Sequence, residues 1–163
     1  MSYGEDGITP LETMRGHSYP AITQFTIFLE NRVGQLMEIL RKFDGTDIRI
    51  LALSIHDSTE CAFARLLLSN PEAGREILER SGFPLVESQL VALELPDTQQ
   101  PMLSVCTALL RAELNITQAY PLFSRPHGRP VVALMVDNIE NAVETLASSG
   151  FQLITEDDLI FDD

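Results

Sequence analysis

Cysteine and long apolar runs are scarce in this sequence, and each shortage excludes a class of protein. The two cysteines, Cys61 and Cys106, form no Cys-x-x-Cys pair, so a disulfide framework is excluded. Both have apolar neighbours, which predicts buried, inert thiols. No apolar stretch is long enough to span a membrane, and residues 1–20 lack the apolar segment of a signal peptide. We therefore expect a cytoplasmic protein.

Basic residues are also few. The 163 residues contain 11 Lys and Arg against 24 Asp and Glu, a formal net charge of -13. A polyanion would be repelled by this charge, so we expect no nucleic-acid partner and no membrane partner. An anionic ligand would need a local positive feature to bind.

Apolar residues make up 45% of the chain, enough for one ordinary domain or two small ones. Residues 1–20 have several Gly and Pro breaks and no periodicity, which predicts a flexible N-terminal tail. The hydrophobic pattern beyond them predicts the order β-α-β-β-α-β twice. The predicted strands are 21–29, 48–55, 61–68 and 85–87, then 89–95, 114–122, 130–136 and 151–154; the predicted helices are 35–43, 71–80, 102–112 and 138–149.

An internal repeat supports this duplication. Seven residues of the segment 70–83 recur 68 positions later, which is hard to obtain by chance. They are Asn70, Glu72, Glu76, Leu78, Ser81, Gly82 and Phe83, which recur as Asn138, Glu140, Glu144, Leu146, Ser149, Gly150 and Phe151. Each unit is about 70 residues long, and a β-α-β-β-α-β unit forms a ferredoxin-like sandwich. The fold class is therefore α+β.

Two short stretches resemble the ACT domain, a regulatory module that binds amino acids. They are the segments 28–36, which contains Asn31-Arg32-Val33-Gly34-Gln35-Leu36, and 112–116, which contains Asn115-Ile116. The family pattern at the first strand–helix turn is Asn-x-Pro-Gly-x-Leu, and this chain has Val33 where the family usually has Pro. The resemblance implies two ferredoxin-like ACT-type units side by side, with antiparallel sheets and helices on one face. The first would span 21–88 and the second 89–163.

The turn before the first helix suits an amino-acid ligand. Gly34 allows close backbone approach or a positive φ, and free amides at a helix start attract a carboxylate. The carboxamide of Asn31 can accept an ammonium, and Arg32 adds positive charge. The alternative is that Asn31 and Gly34 simply form a good turn.

The two units are unequal. The second loop, 96–103, has Pro101 near the position of Gly34, and proline offers no N–H to an anion. On the second strand the first unit has Arg49-Ile50 where the other has Asn115-Ile116. Because family ligands often lie between two domains, we predict one competent site per chain at the interface between the units. Its residues would be Asn31, Arg32, Val33, Gly34, Gln35, Leu36, Asn115, Ile116 and Thr117.

Other functions are less well supported by the residues. No nucleophile with a base and no phosphate loop is evident, so we expect no catalytic residues, no cofactor and no enzyme activity. The acids at 156–158 and 162–163 are predicted to be a solvated end. His56 with Glu60 and Cys61, and His127 in the matching turn, fit no zinc pattern, and a glyoxalase-like metal enzyme is a further alternative.

The stronger alternative is a regulatory or structural subunit that binds a partner protein and retains no ligand site. ACT-type units often dimerise, so a homodimer is compatible with the resemblance, and the sequence names no regulated enzyme. The predicted selectivity positions, 50–53 with Thr117 and Gln118, are mostly apolar or small, which favours an aliphatic or aromatic amino acid.

Overall fold

A computed structural model describes residues 19–30 and 34–160, so most of the predicted tail, 1–18, lies outside it. The chain forms seven strands and five α-helices within the described ranges. In chain order these are β1 (Ile22–Leu29), α1 (Gln35–Arg41), β2 (Ile50–Asp57), β3 (Ala62–Leu68), α2 (Pro71–Ser81), β4 (Leu85–Glu94), α3 (Pro101–Arg111), β5 (Ile116–Pro121), β6 (Val131–Val136), α4 (Ile139–Ser148), β7 (Leu153–Ile154) and α5 (Glu156–Ile160), with a short 3-10 turn at Pro126–Gly128.

The strands form one antiparallel sheet with β4 at its centre. The order is β2-β3-β1-β4-β6-β5, and β7 also pairs with β4. The first part of β4 pairs with β1, and its last part pairs with β6 and β7. The prediction of two strands, 85–87 and 89–95, was therefore wrong, because Ser88 makes no turn and both segments belong to β4. The predicted limit between the units, at 88/89, falls inside this strand and stays a prediction.

Three clusters of buried residues make up the core. One lies under α1 and α2 and includes Phe25 and Leu66; a second lies under α3 and α4 and includes Val91 and Leu134. The third contains side chains from the faces of both units that lie opposite α1 to α4, including Ile22, Leu67, Leu90 and Ala133. The sheet therefore curls so that its two uncovered faces pack on each other, and we call this third cluster the inter-sheet layer. The predicted α+β fold of two ferredoxin-like units is confirmed.

The repeat is visible in the helix ends. The side chain of Asn70 caps α2 by accepting a hydrogen bond from the amide of Ala73 at 3.2 Å, and that of Asn138 caps α4 by accepting from the amide of Asn141 at 3.0 Å. Gly82 and Gly150, which follow these helices, both adopt a left-handed conformation, with φ of 79° and 88°. The same residues thus start and stop the equivalent helix in each unit.

The third predicted helix, 102–112, forms as α3, but only one of its two apolar sides is buried. Leu109 is buried, but Leu103 and Leu110 are 66% and 74% exposed, and Cys106 is exposed. Because α3 is apolar on two sides, its sequence could not decide which side meets the sheet, and Val105 with Leu109 takes that place. Cys61 is exposed as well, so the prediction of buried thiols was wrong at both positions.

The acidic run near the C-terminus is another correction. Residues 156–158 lie in α5 and not in a solvated end, because Leu159 of that helix is buried in the inter-sheet layer. Glu156 accepts hydrogen bonds from the amide and hydroxyl of Thr23 at 3.0 and 2.9 Å. Asp158 accepts from the amide of Thr155 at 2.8 Å. The other predicted acids of that end, Asp162 and Asp163, lie outside the described residues.

The equivalent caps give a paired prediction. Asn70→Ala and Asn138→Ala should each lower the free energy of unfolding by about 1 kcal/mol, because each removes a capping acceptor. Urea denaturation followed by circular dichroism measures the change. Gln100→Ala is the matched control, since Gln100 precedes α3 without a side-chain cap. Equal stability of all three variants and the parent would contradict the capping role.

The exposed cysteines give a second prediction. Both thiols of the folded, reduced protein should react with a thiol-specific disulfide reagent without denaturant, since exposure decides access. Each reacting cysteine releases one thiol from the reagent, and its absorbance gives the number of reactive cysteines per chain. Cys61→Ser and Cys106→Ser are the single-site controls. Reaction only after unfolding would show that the thiols are covered.

Candidate functional site

The start of α1 is open to solvent on the side of Gly34. This residue precedes the helix with φ of 91°, a left-handed conformation that other residues rarely adopt. A Cβ atom built there meets no described atom within 4 Å apart from its chain neighbours, so the described part of the chain leaves the space beside this backbone open. The predicted site residues Asn31, Arg32 and Val33 lie outside the described residues.

The next two predicted residues begin α1. Gln35 is buried, with 9% of its surface exposed, and its Oε1 atom has no hydrogen-bond partner among the described residues. Leu36 is half-buried. α1 packs on unit one through Ile39, which lies in the cluster under α1 and α2. Gly34, Gln35 and Leu36 therefore lie together on the helix-covered side of the first unit.

Asn115, Ile116 and Thr117 lie together at the start of β5 in the second unit. The amide of Asn115 donates to Oδ1 of Asp137 at 3.2 Å, and the hydroxyl of Thr117 donates to the carbonyl of Met135 at 3.3 Å. Both residues are exposed, and Ile116 is half-buried. The carboxamide of Asn115 makes no hydrogen bond to any described residue, so it is available to a ligand.

No hydrogen bond in the described ranges joins the α1 group to the β5 group. Each group is held by contacts within its own unit: Gly34 accepts from the amide of Glu38 at 3.0 Å, and Asn115 is bound to Asp137. A site shared between them stays a prediction.

Sequence reasoning missed a polar junction between the two units. Gln24 of β1 is 1% exposed and lies at the inter-sheet layer, where its amide nitrogen donates to the hydroxyl of Ser88 at 3.2 Å. Its Oε1 accepts a hydrogen bond from the hydroxyl of Tyr120 on β5. The sequence contained one signal of this junction. Gln24 lies next to Phe25 inside an otherwise buried strand, and a buried carboxamide requires hydrogen-bond partners.

Burial dominates the electrostatics of this junction. Removal from water raises the pKa of Tyr120 well above its usual value, because the phenolate is the poorly solvated form. The positive charge of Arg65 acts in the opposite direction and lowers the pKa. The hydroxyl therefore stays protonated and donates to Gln24.

The histidines considered for metal binding have other contacts. His56 stacks on the ring of Phe63, with centroids 4.8 Å apart. Nδ1 of His127 lies 2.9 Å from Oε1 of Glu94, and its Nε2 lies 3.7 Å from Asp158. The described ranges contain no group of three or more His, Cys, Asp or Glu side chains placed to hold a metal ion. These contacts provide no ligand set for a glyoxalase-like centre.

Known proteins resemble this chain in sequence and in fold. The sequence model of the ACT domain pair matches residues 20–161. The chain belongs to the ACT domain pair family. No functionally curated protein matches this ACT pair in sequence. Within the described residues, no helix has the length and apolar character needed to cross a bilayer.

Solved structures share the fold of this ACT pair. Protein BT0572 from Bacteroides thetaiotaomicron is 22% identical, with a TM-score of 0.78 over 87% of this chain and 97% of that one. The regulatory subunit of aspartate kinase from Thermus thermophilus, in its ligand-free form, is 12% identical, with a TM-score of 0.55 over 83% and 96%. The aspartokinase alpha and beta subunits give 13% identity and a TM-score of 0.52 over 80% and 92%. One of these neighbours is thus the regulatory subunit of an enzyme.

The Tyr120–Gln24 contact can be tested by a double-mutant cycle. Tyr120→Phe should lower the free energy of unfolding by about 1–3 kcal/mol, because it leaves a buried carboxamide oxygen without its donor. Gln24→Leu should also destabilise, and the double variant should cost less than the sum of the two changes. Urea denaturation monitored by circular dichroism suits a chain without tryptophan. Additive effects would show that the two side chains do not interact.

Proposed function

We propose that this ACT pair is a regulatory module that binds a free amino acid. Family membership over residues 20–161 is the observation that carries the proposal. One named neighbour, the regulatory subunit of aspartate kinase from Thermus thermophilus, supports a regulatory role. We propose that the regulated partner is an enzyme or regulator acting on the same class of ligand. The cytoplasmic location expected from composition stays a prediction.

The proposed ligand site is the one predicted from the sequence: Asn31, Arg32, Val33, Gly34, Gln35 and Leu36 with Asn115, Ile116 and Thr117. The left-handed Gly34 and the empty space beside it support backbone binding of a carboxylate. The free carboxamide of Asn115 supports a role in binding the ammonium group.

The opposite combination, the loop before α3 of the second unit with the start of β2 of the first unit, has contacts that support a single site. Pro101 begins α3, so the first amide of that helix is absent. Arg49, which aligns with Asn115, is already engaged: its amide donates to the hydroxyl of Ser69 at 2.8 Å, and its guanidinium donates to the carbonyl of Leu159 at 3.4 Å. The loop before α3 and the start of β2 are therefore poorly suited to a ligand.

Partner binding without a ligand is the second candidate function. Leu103 and Leu110 expose 66% and 74% of their surface on one side of α3, and paired exposed apolar residues are typical of protein contact surfaces. An amino-acid titration separates the two functions, because partner binding alone predicts no response.

A thermal-shift screen of the full chain against the twenty amino acids and several 2-oxo acids tests the proposal. A ligand at 100 times its Kd stabilises the folded state by about 2.7 kcal/mol. For a chain of this length the melting temperature should rise by roughly 5–10 °C. A flat response across the panel at millimolar concentration would reject amino-acid binding and favour the partner function.

The shared site makes a sharper prediction. Asn31→Ala and Asn115→Ala should each weaken binding of the ligand found in the screen by about tenfold, which corresponds to about 1.4 kcal/mol. Isothermal titration calorimetry measures both. Gln100→Ala, in the equivalent loop of the second unit, is the control and should bind normally. Unchanged affinity in the Asn115 variant, together with a loss in the Asn31 variant, would place the site in loop one alone.

A further inference from the structure

One face of the first unit is only partly covered by the second. Three rows of side chains cross this face in register, and their exposure increases from one row to the next. Gln24 and Leu67 form a buried row; Thr26 and Arg65 form a half-buried row; Phe28 and Phe63 form the outermost row, where Phe28 is 41% exposed. The inter-sheet layer therefore opens to solvent at the aromatic end, and we call this opening the cleft mouth.

The side chain of Arg65 belongs to this face. Along β3, Leu66 lies in the cluster under α1 and α2, whereas Leu67 lies in the inter-sheet layer. Because successive strand residues point to opposite faces, Arg65 points to the same side as Leu67. Its pairing partners on the neighbouring strands are Ser54 and Thr26, neither of which is charged.

The guanidinium group of Arg65 has unused hydrogen-bond donors. Its guanidinium forms no hydrogen bond or ion pair with any described residue, although it is half-buried and carries five N–H donors. Its contact is with the ring of Phe63, whose centroid lies 4.5 Å from the guanidinium carbon. By contrast, Arg75 on the opposite face is paired with Glu87 at 2.6 Å. No anion among the described residues therefore neutralises this half-buried cation, although the chain has a net charge of -13.

Aromatic rings form one wall beside this cation. His56 stacks on Phe63 at 4.8 Å, and Phe28 meets the same ring edge-on at 6.3 Å. These three rings thus orient the guanidinium group through its contact with Phe63, and they present an apolar surface next to that group. Val86, which pairs with Thr26 in the middle row, is 54% exposed and extends this surface.

The deeper side of the mouth is polar. Gln24, Ser88 and Tyr120 form the hydrogen-bonded junction described above. Gln118 is two residues from Tyr120 on β5, and its Oε1 atom is buried without a hydrogen-bond partner among the described residues.

We propose that the cleft mouth binds a small carboxylate with an aromatic or branched apolar body, separately from the site at Gly34 and Asn115. Arg65 binds the carboxylate through its free donors, a geometry to which guanidinium is well suited. Phe63, Phe28 and Val86 contact the apolar body. This binding does not depend on the proposed function, because none of its residues belongs to the proposed amino-acid site at Gly34 and Asn115.

Two-dimensional 1H–15N NMR of the full chain tests the proposal, with 3-phenylpropionate as the probe. Titration to about 10 mM should shift the Arg65 side-chain Nε–Hε signal and the amides of Thr26, Val86 and Ser88 in a saturable way, as a Kd on the order of 1 mM requires. The neutral 3-phenylpropionamide has the same body without the carboxylate and should bind at least about tenfold more weakly, since charge-assisted hydrogen bonds are the stronger kind.

Variants identify the cation. Arg65→Gln should weaken 3-phenylpropionate binding by about tenfold or more, and Arg65→Lys should fall between it and the parent. Arg80→Gln makes the same change of charge at an exposed position of α2 and should leave the affinity unchanged. The spectra also show whether each variant is folded.

Four results would overturn the cleft site. Equal binding by Arg65→Gln and the parent, or equal binding of acid and amide, would exclude carboxylate recognition by Arg65. Signal shifts confined to Gly34 and Asn115 would show that the carboxylate binds at the proposed amino-acid site, which would leave the proposed function standing. Shifts of Phe28 and Val86 that depend on protein concentration alone would show that a second copy of the chain covers the mouth.

Discussion

β4 provides hydrogen bonds to both units, and the other features of the fold follow from this shared use. Its first part, up to Leu90, pairs with β1, and its last part, from Val91, pairs with β6 and β7. A strand of ten residues cannot serve two flat sheets that lie apart, so the units must form a continuous, twisted sheet. The twist brings together the two faces that lie opposite α1 to α4, and their side chains form most of the inter-sheet layer. Duplication of one unit thereby produced a core that neither copy could bury alone.

Local signals in the sequence predicted much of this fold. The repeat at a spacing of 68 residues identified Asn70 and Asn138, and both cap helices through equivalent hydrogen bonds. These features depend on a few neighbouring residues, because a cap is completed within one helical turn. Hydrophobic periodicity likewise placed most helices and strands within a few residues of their observed ends.

The failures involve partners distant in sequence. Nothing near Ser88 shows that two strand segments join, and nothing within α3 decides whether Leu103 or Val105 meets the sheet. Leu159 is buried only because the curled sheet offers it an apolar surface. The candidate site divides in the same way. The turn at Gly34 was visible as a motif, whereas the junction of Gln24 with Tyr120 needs a register that joins residues 96 positions apart.

The curl also affects how another chain can approach. At the two ends of the sheet order, β2 and the segment after β5 meet, where the amide of Phe123 donates to the carbonyl of Leu51 at 2.6 Å. An open sheet presents unpaired backbone groups at its outer strands, and these invite strand addition by other chains. Here the outermost strands are turned toward each other, so part of that backbone is occupied from within. Where that backbone is occupied, only the side chains of the helices and open faces remain for contact with another chain, and such contacts can be specific where backbone pairing is not.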